Sequence, residues 1–276
     1  MTPAIQTRNL TKYYGNFHAV KAVDLQVEPG CLYGFLGPNV AGKSTTIKML
    51  TGILTPTSGS IELLGGDPWD SQQGLEIKKR IGVVPEDLAL FDNLTAREHL
   101  AFVGRMHSLD KKTIVDRGEE LLALLKLEGV EKKLTVEYSH GMKKKLALAA
   151  ALLPNPSLLF LDEPFEGVDV VTARSIRDLL LDYVSHGSTV FVTTHVMEIV
   201  ERICTHVGII VNGQLVEQCS LDELRAKTSL ENRFIELAGA AEEDTPNLAW
   251  LDGGQQLSEP DGSAAQTEST IGNQSE

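Results

Sequence analysis

The chain has 276 residues, of which 42% are hydrophobic, a formal net charge of −13 and a mean hydropathy of −0.06, enough for one large domain or two small ones. The most apolar stretch, Leu146 to Leu161, is broken by Pro154-Asn155-Pro156 and offers no run of about 18 apolar residues to cross a bilayer, while the acid excess gives no basic footprint, so no nucleic acid partner is expected. Cys31, Cys204 and Cys219 are too widely spaced for a disulfide framework or a zinc site, and Met1 to Gln6 lacks the basic-then-apolar pattern of a secretory leader, so a cytosolic chain is expected.

In chain order, Ile5 to Tyr14 and Ala19 to Val27 read as strands of an antiparallel region, with Gly15-Asn16 as turn chemistry between them. Cys31 to Leu36 is a short apolar run leading into a glycine-rich loop, and Lys43 to Leu50 then reads as a helix with Ile47 and Leu50 on one face. Ile81 to Val84 is a buried-strand candidate ended by Pro85. Residues 95–127 switch to helical periodicity, first Ala96, Leu100 and Val103, then Ile114, Leu121, Leu122 and Leu125. Residues 88–155 are expected to form an inserted helical subdomain. Strand and helix then alternate through Leu158 to Asp162, Val171 to Val184, Ser188 to Thr193, Val196 to Cys204 and Val207 to Val211, the pattern of a parallel sheet covered by helices. Asn212-Gly213 signals a hairpin turn, and Ser220-Leu221-Asp222-Glu223 fits a capping box. Residues 237–276 hold eight acids, no Lys or Arg and no apolar periodicity, so a disordered acidic tail is expected there and residues 1–236 as the folded domain.

Gly37-Pro38-Asn39-Val40-Ala41-Gly42-Lys43-Ser44-Thr45 matches G-x-x-x-x-G-K-[ST], set between strand and helix. In such a loop the backbone N–H groups surround phosphate oxygens, the lysine neutralises charge and the hydroxyl ligates Mg²⁺; the helix N-terminus adds partial positive charge. Leu158-Leu159-Phe160-Leu161-Asp162-Glu163 is an apolar run ending in two carboxylates. It suits a buried parallel strand that delivers one acid to a metal and the next to an attacking water.

A third stretch, Tyr138-Ser139-His140-Gly141-Met142, lies ahead of an amphipathic helix, with Ser139 23 residues before Asp162; His195 follows Asp162 by 33 residues and Tyr14 lies upstream. In order and spacing these motifs resemble the ATP-binding cassette (ABC) ATPases, motor subunits of ABC transporters, over roughly the first 230 residues. The signature with histidine for its first glycine is similar to exporter-type cassettes. The resemblance implies an α/β fold, a P-loop NTPase RecA-like core with an antiparallel β region and an inserted helical subdomain, using ATP and Mg²⁺. It implies that residues Gly37 to Thr45 hold phosphate, with Lys43 catalytic as well; that Ser44, Asp162 and Glu86 serve the metal, Glu86 standing where the family usually has glutamine; and that Glu163 polarises water. His195 takes the place of the switch histidine, Tyr14 rather than Tyr13 that of the adenine-stacking aromatic, and Ser139 and Gly141 that of groups holding the γ-phosphate bound to an opposite subunit. Asp169 resembles an acid that crosses that interface, and a helix N-cap is an equal reading for it.

The resemblance further implies a homodimer or heterodimer of ATPase subunits, separate transmembrane permease subunits, and a cytoplasmic position peripheral to the membrane. A soluble cassette ATPase acting on ribosomes or DNA is the alternative, but neither paired cassettes nor a long coiled-coil insertion is present. A low-turnover regulatory subunit is the other, kept open by Val40, where the family usually has glycine. The expectation is that Val40 has negative φ with its Cβ turned from phosphate, and that Lys143-Lys144-Lys145 is a solvated helix face.

Overall fold

The computed structural model describes residues 2–130 and 132–239; from residue 240 onward the expected acidic tail lies outside them. The chain begins with β1 (Ile5–Tyr14), β2 (Phe17–Val23), β3 (Gln26–Val27), β4 (Leu32–Leu36), α1 (Lys43–Leu50) and β5 (Ser58–Leu63). Strands β2, β3 and β5 all pair with β1 antiparallel. The single strand expected over Ala19 to Val27 is two strands. Ala22 turns left-handed, φ 48°, and the Asp24 carboxylate accepts the Asn9 N–H at 2.5 Å where a ladder bond would continue.

Next come α2 (Gly74–Lys79), β6 (Ile81–Val84), α3 (Ala96–Met106), α4 (Lys111–Leu124) and α5 (His140–Leu152). The helical stretch over 95–127 is thus divided, and each helix has its own cap: Thr95 and Glu98 form a reciprocal capping box on α3, and Asp110 accepts the Thr113 N–H on α4. Ser139 caps α5 by accepting the Met142 N–H. The chain then runs through β7 (Leu158–Asp162), α6 (Val170–Ser185), β8 (Thr189–Thr194), α7 (Met197–Ile203), β9 (His206–Val211), β10 (Gln214–Ser220), α8 (Leu221–Arg225) and α9 (Leu230–Ala238). Between β9 and β10, Asn212 and Gly213 both have positive φ, 50° and 81°, as a type I′ turn requires.

The second sheet has the order β10-β9-β4-β8-β7-β6, parallel throughout except for β10. Strands β4, β7 and β8 are buried at every residue, as strands covered on both faces must be. One face packs Leu36, Leu159, Leu161, Val190 and Val192 against the helical side; the other packs Tyr33, Phe35, Phe160 and Phe191 toward β1 and α1. Phe191 sits among the other three rings at 5.5, 5.4 and 5.8 Å between centroids. Register then decides where chemistry falls: Leu36 lies opposite Thr194, and Asp162 opposite Thr193. The carboxyl ends of β4, β7 and β8 therefore meet at one edge, where open α/β sheets bind ligands.

Truncating Phe191 to alanine removes the ring that all three neighbours contact and should cost about 3–5 kcal/mol, read as a lowered urea midpoint with little change in slope. A loss below about 1 kcal/mol would show that the sheet repacks around the gap.

Candidate functional site

The loop after β4 is shaped by close approaches that exclude side chains. A Cβ on Gly37 would fall 2.4 Å from the Ile210 carbonyl, and one on Gly42, at φ 103°, 2.6 Å from the Ala19 carbonyl. The loop folds on itself as the Ala41 N–H donates to the Pro38 carbonyl at 3.2 Å, and the Ala41 carbonyl accepts the Gly213 N–H from the β9–β10 turn at 3.0 Å. Lys43 is 5% exposed. Its Nζ donates to the carbonyls of Gly37 and Pro38 at 2.8 and 3.2 Å and lies 3.4 Å from Glu163 Oε1.

Above this loop opens a cleft of about 300 Å³ that brings together Tyr14, Asn39, Val40 and Gly42 to Thr45 with Glu86, Glu163 and His195. Gly37, Pro38 and Ala41 do not line it and serve as its frame. Asp162, 2% exposed, lies at its base: Ser44 Oγ is 3.3 Å from Asp162 Oδ1 and 3.3 Å from Glu86 Oε2, so one hydroxyl and two carboxylates converge. Burial pushes the Asp162 carboxyl above its usual range, and Glu86 and Glu163 add to the rise, while hydrogen bonds from Thr193 and Ser44 oppose it. Glu163 holds φ 46°, a left-handed conformation that costs a non-glycine residue on the order of 1–3 kcal/mol. It directs Oε1 to within 3.1 Å of His195 Nδ1.

Tyr14 takes the cleft, and Tyr13 is occupied elsewhere, its ring stacked on His18 at 3.9 Å. Ser139, Gly141 and Asp169 form a separate cluster: an ideal Cβ on Gly141 lies 3.8 Å from Asp169 Oδ2. Both hydroxyl and carboxylate are engaged locally, Asp169 accepting the N–H groups of Val171 and Thr172 at 3.0 Å as the N-cap of α6.

Two expectations are overturned. Val40 has φ 69°, in the left-handed region; the bonds within Pro38 to Lys43 fix the turn, and the isopropyl group, 84% exposed, avoids a clash by standing in solvent. The lysine run is not a solvated face. Lys144 and Lys145 are 5% and 8% exposed, Lys143 pairs with Asp92 at 3.3 Å, and the Lys144 ammonium is taken up by the carbonyls of Glu163 and Glu166. Sequence reading also missed Thr193, whose hydroxyl donates to Asp162 and accepts the Glu163 N–H. It missed Phe17 as well, a second exposed aromatic in the cleft. Neither leaves a spacing signal, since both act across strands.

A parallel sheet with a phosphate-type loop after β4, two acids ending β7 and a histidine after β8 defines a P-loop nucleotide hydrolase. The chain belongs to the ABC transporter family: the family model described as ABC transporter matches residues 20–166. A model described as AAA domain, putative AbiEii toxin, Type IV TA system matches the shorter stretch 135–201, which excludes the phosphate loop. Over 228 residues the chain is 39% identical to the bacitracin transport ATP-binding protein BcrA of Bacillus licheniformis, covering 82% of this chain and 73% of that protein. Its fold is similar to a solved ATP-binding subunit of an ABC transporter, with TM-score 0.79, 28% identity, and 86% and 99% of the two chains covered. It is similar also to a dimeric ATP-binding cassette in a post-hydrolysis state with ADP and Pi, with TM-score 0.72, 25% identity, and 79% and 98% covered. The protein is an ATP-binding, ATP-hydrolysing subunit of an ABC transporter.

Val40→Gly should relieve strain on the order of 1–3 kcal/mol, partly offset by the freer unfolded chain. ATP binding should tighten or turnover rise, up to about tenfold per 1.4 kcal/mol recovered; titration and steady-state assays that match the wild type within error would show that the left-handed valine carries no functional cost. Asp162 has a folded-state pKa above its unfolded value, so its linked stability is full below the usual carboxylate range and lost as pH rises through the raised value. Asp162→Asn should therefore stabilise the ligand-free protein at pH 7, with the advantage shrinking toward pH 4, while ATP hydrolysis falls. Equal urea midpoints for the two proteins at pH 7 would contradict this.

Proposed function

We propose that two copies of this chain, or one copy and a related partner, close over two ATP molecules, each held between the phosphate loop of one subunit and Ser139 and Gly141 of the other. Ser139, Gly141 and Asp169 do not line the cleft of their own chain, which supports their meeting a phosphate across an interface. The dimeric solved relative supports it further. The convergence of Lys43, Glu163 and His195 on one cleft carries the proposal.

Ser44, Asp162 and Glu86 suit Mg²⁺, a hard cation taking oxygen ligands, and positive charge supplied there would offset the burial, and the lesser repulsion from Glu86 and Glu163, that raise Asp162. The ion's chemistry is neutralisation of phosphate charge. Lys43 binds phosphate oxygens, Glu163 takes the proton of the attacking water at its carboxylate, and His195 orients Glu163 through Nδ1 and meets the terminal phosphate with its other nitrogen. Tyr14 offers a ring to adenine. His195 is thus assigned by its contact with Glu163.

Separate permease subunits at the cytoplasmic face of a membrane complete the machine. Among the described residues no helix is long and apolar enough to cross a bilayer, and the BcrA relative is itself named a transport ATP-binding protein. The loop after β6 supports coupling to such a partner. Glu86 borders the nucleotide cleft, and Pro85, next to it, borders an apolar groove of about 370 Å³ containing Leu90, His99 and Val103.

Glu163→Gln should lower steady-state ATP turnover at least a hundredfold, in the range typical for loss of a general base, while ATP affinity is retained and Mg-ATP drives a stable dimer in size-exclusion chromatography. Turnover at the wild-type rate would remove Glu163 from the base role.

A further inference from the structure

Lys144 has no part in the machinery described so far, yet it is among the most deeply buried charged side chains of the described residues. It stands early in α5 and its ammonium meets backbone: Nζ donates to the Glu163 carbonyl at 2.8 Å and to the carbonyl of Glu166. Burying an ammonium is costly unless its hydrogen bonds are satisfied, and burial holds this lysine below its ordinary pKa against the pull of Glu166, Glu163 and Glu86. The cost falls where the backbone is strained. Glu163 is left-handed; its N–H is taken by the Thr193 hydroxyl at 3.1 Å and the Thr193 carbonyl at 3.3 Å. Its carbonyl accepts from Lys144 and, closing a turn, from the Glu166 N–H at 3.2 Å. With both flanking peptide groups held, the residue cannot relax to negative φ, and its carboxylate is delivered to Lys43 and His195.

The same segment continues along the start of α5. An ideal Cβ on Gly167 would lie 3.2 Å from His140 Cδ2, and one on Gly141 3.8 Å from Asp169 Oδ2. We infer that Lys144 is a positioning residue for ATP hydrolysis, clamping Glu163 in its left-handed conformation and tying that conformation to α5, the helix that Ser139 caps. The inference rests on the assignment of Glu163 as the base. One helix then serves both halves of the chemistry: its first turn presents Ser139 and Gly141, and its first inward lysine fixes this subunit's own base.

The test is a double-mutant cycle of Lys144→Met and Glu163→Gln in the full chain, with turnover counted per ATP-binding site and melting temperature measured alongside. Lys144→Met should lower kcat at least tenfold with KM for ATP within threefold of wild type, and Lys144→Arg, which keeps the donors, should recover most of the loss. Added to Glu163→Gln, Lys144→Met should lower residual turnover less than twofold, because a clamp acting through Glu163 has nothing left to hold. Should Lys144→Met fold poorly, Lys144→Gln, with one neutral donor, should show an intermediate kcat at unchanged KM. Wild-type kcat in the methionine and glutamine variants, a loss confined to KM, or an equal loss in the Glu163→Gln background would each overturn the clamp. Wild-type turnover of Glu163→Gln alone would overturn the base assignment instead, so the two failures are distinguishable.

Discussion

Everything at the catalytic edge depends on the register that sets Thr193 of β8 opposite Asp162 of β7. From that position one hydroxyl reaches the Asp162 carboxylate and the Glu163 N–H together. Because β4 is paired to β8 on the other side, the same register fixes the phosphate loop beside the acids. A slip of β8 by one residue would turn its side chains to the opposite face, taking Phe191 away from its aromatic neighbours on β4 and β7. The aromatic packing on one face and the aliphatic packing on the other thus specify where the polar atoms of the site must lie.

The site concentrates what stability alone would avoid. Lys43, Asp162 and Glu163 are all nearly inaccessible, and Lys144 adds a fourth buried charge. Two non-glycine residues beside the cleft, Val40 and Glu163, are left-handed. Such features persist only where the surroundings over-determine them, and here the surroundings are specific: Gly37 and Pro38 carbonyls for Lys43, Thr193 and Ser44 for Asp162, Thr193 and Lys144 for Glu163. At this edge of the parallel sheet strain and buried charge coincide, while the helix caps and the hairpin turn follow ordinary local preferences.

Much of this was legible in the residues. Continuous apolar runs identify β4, β7 and β8 because strands buried on both faces need no alternation, and the glycines of the loop mark positions where carbonyls of Ala19 and Ile210 leave no room for a Cβ. Strand β5 was not legible. Its first three residues, Ser58, Gly59 and Ser60, are polar and exposed, and only pairing with β1 makes them a strand. Val40 was read with the wrong sign of φ because residue type gives a preference, whereas the loop's own hydrogen bonds give the conformation. Lys144 and Thr193 act through contacts between segments distant in sequence, and a lysine in a basic run looks the same from sequence whether it faces water or two carbonyls.

The bond between the Gly213 N–H and the Ala41 carbonyl joins the floor of the phosphate loop to a hairpin turn 172 residues later. A type I′ turn accepts few residues, and a Cβ on Gly213 would also lie 2.7 Å from the Ala19 carbonyl. The loop and the hairpin are therefore structurally coupled. In a chimaera assembled from two related cassettes, any crossover between residues 42 and 211 would join a loop to a foreign hairpin, and such hybrids are viable only where the second parent brings the same left-handed turn at the same depth.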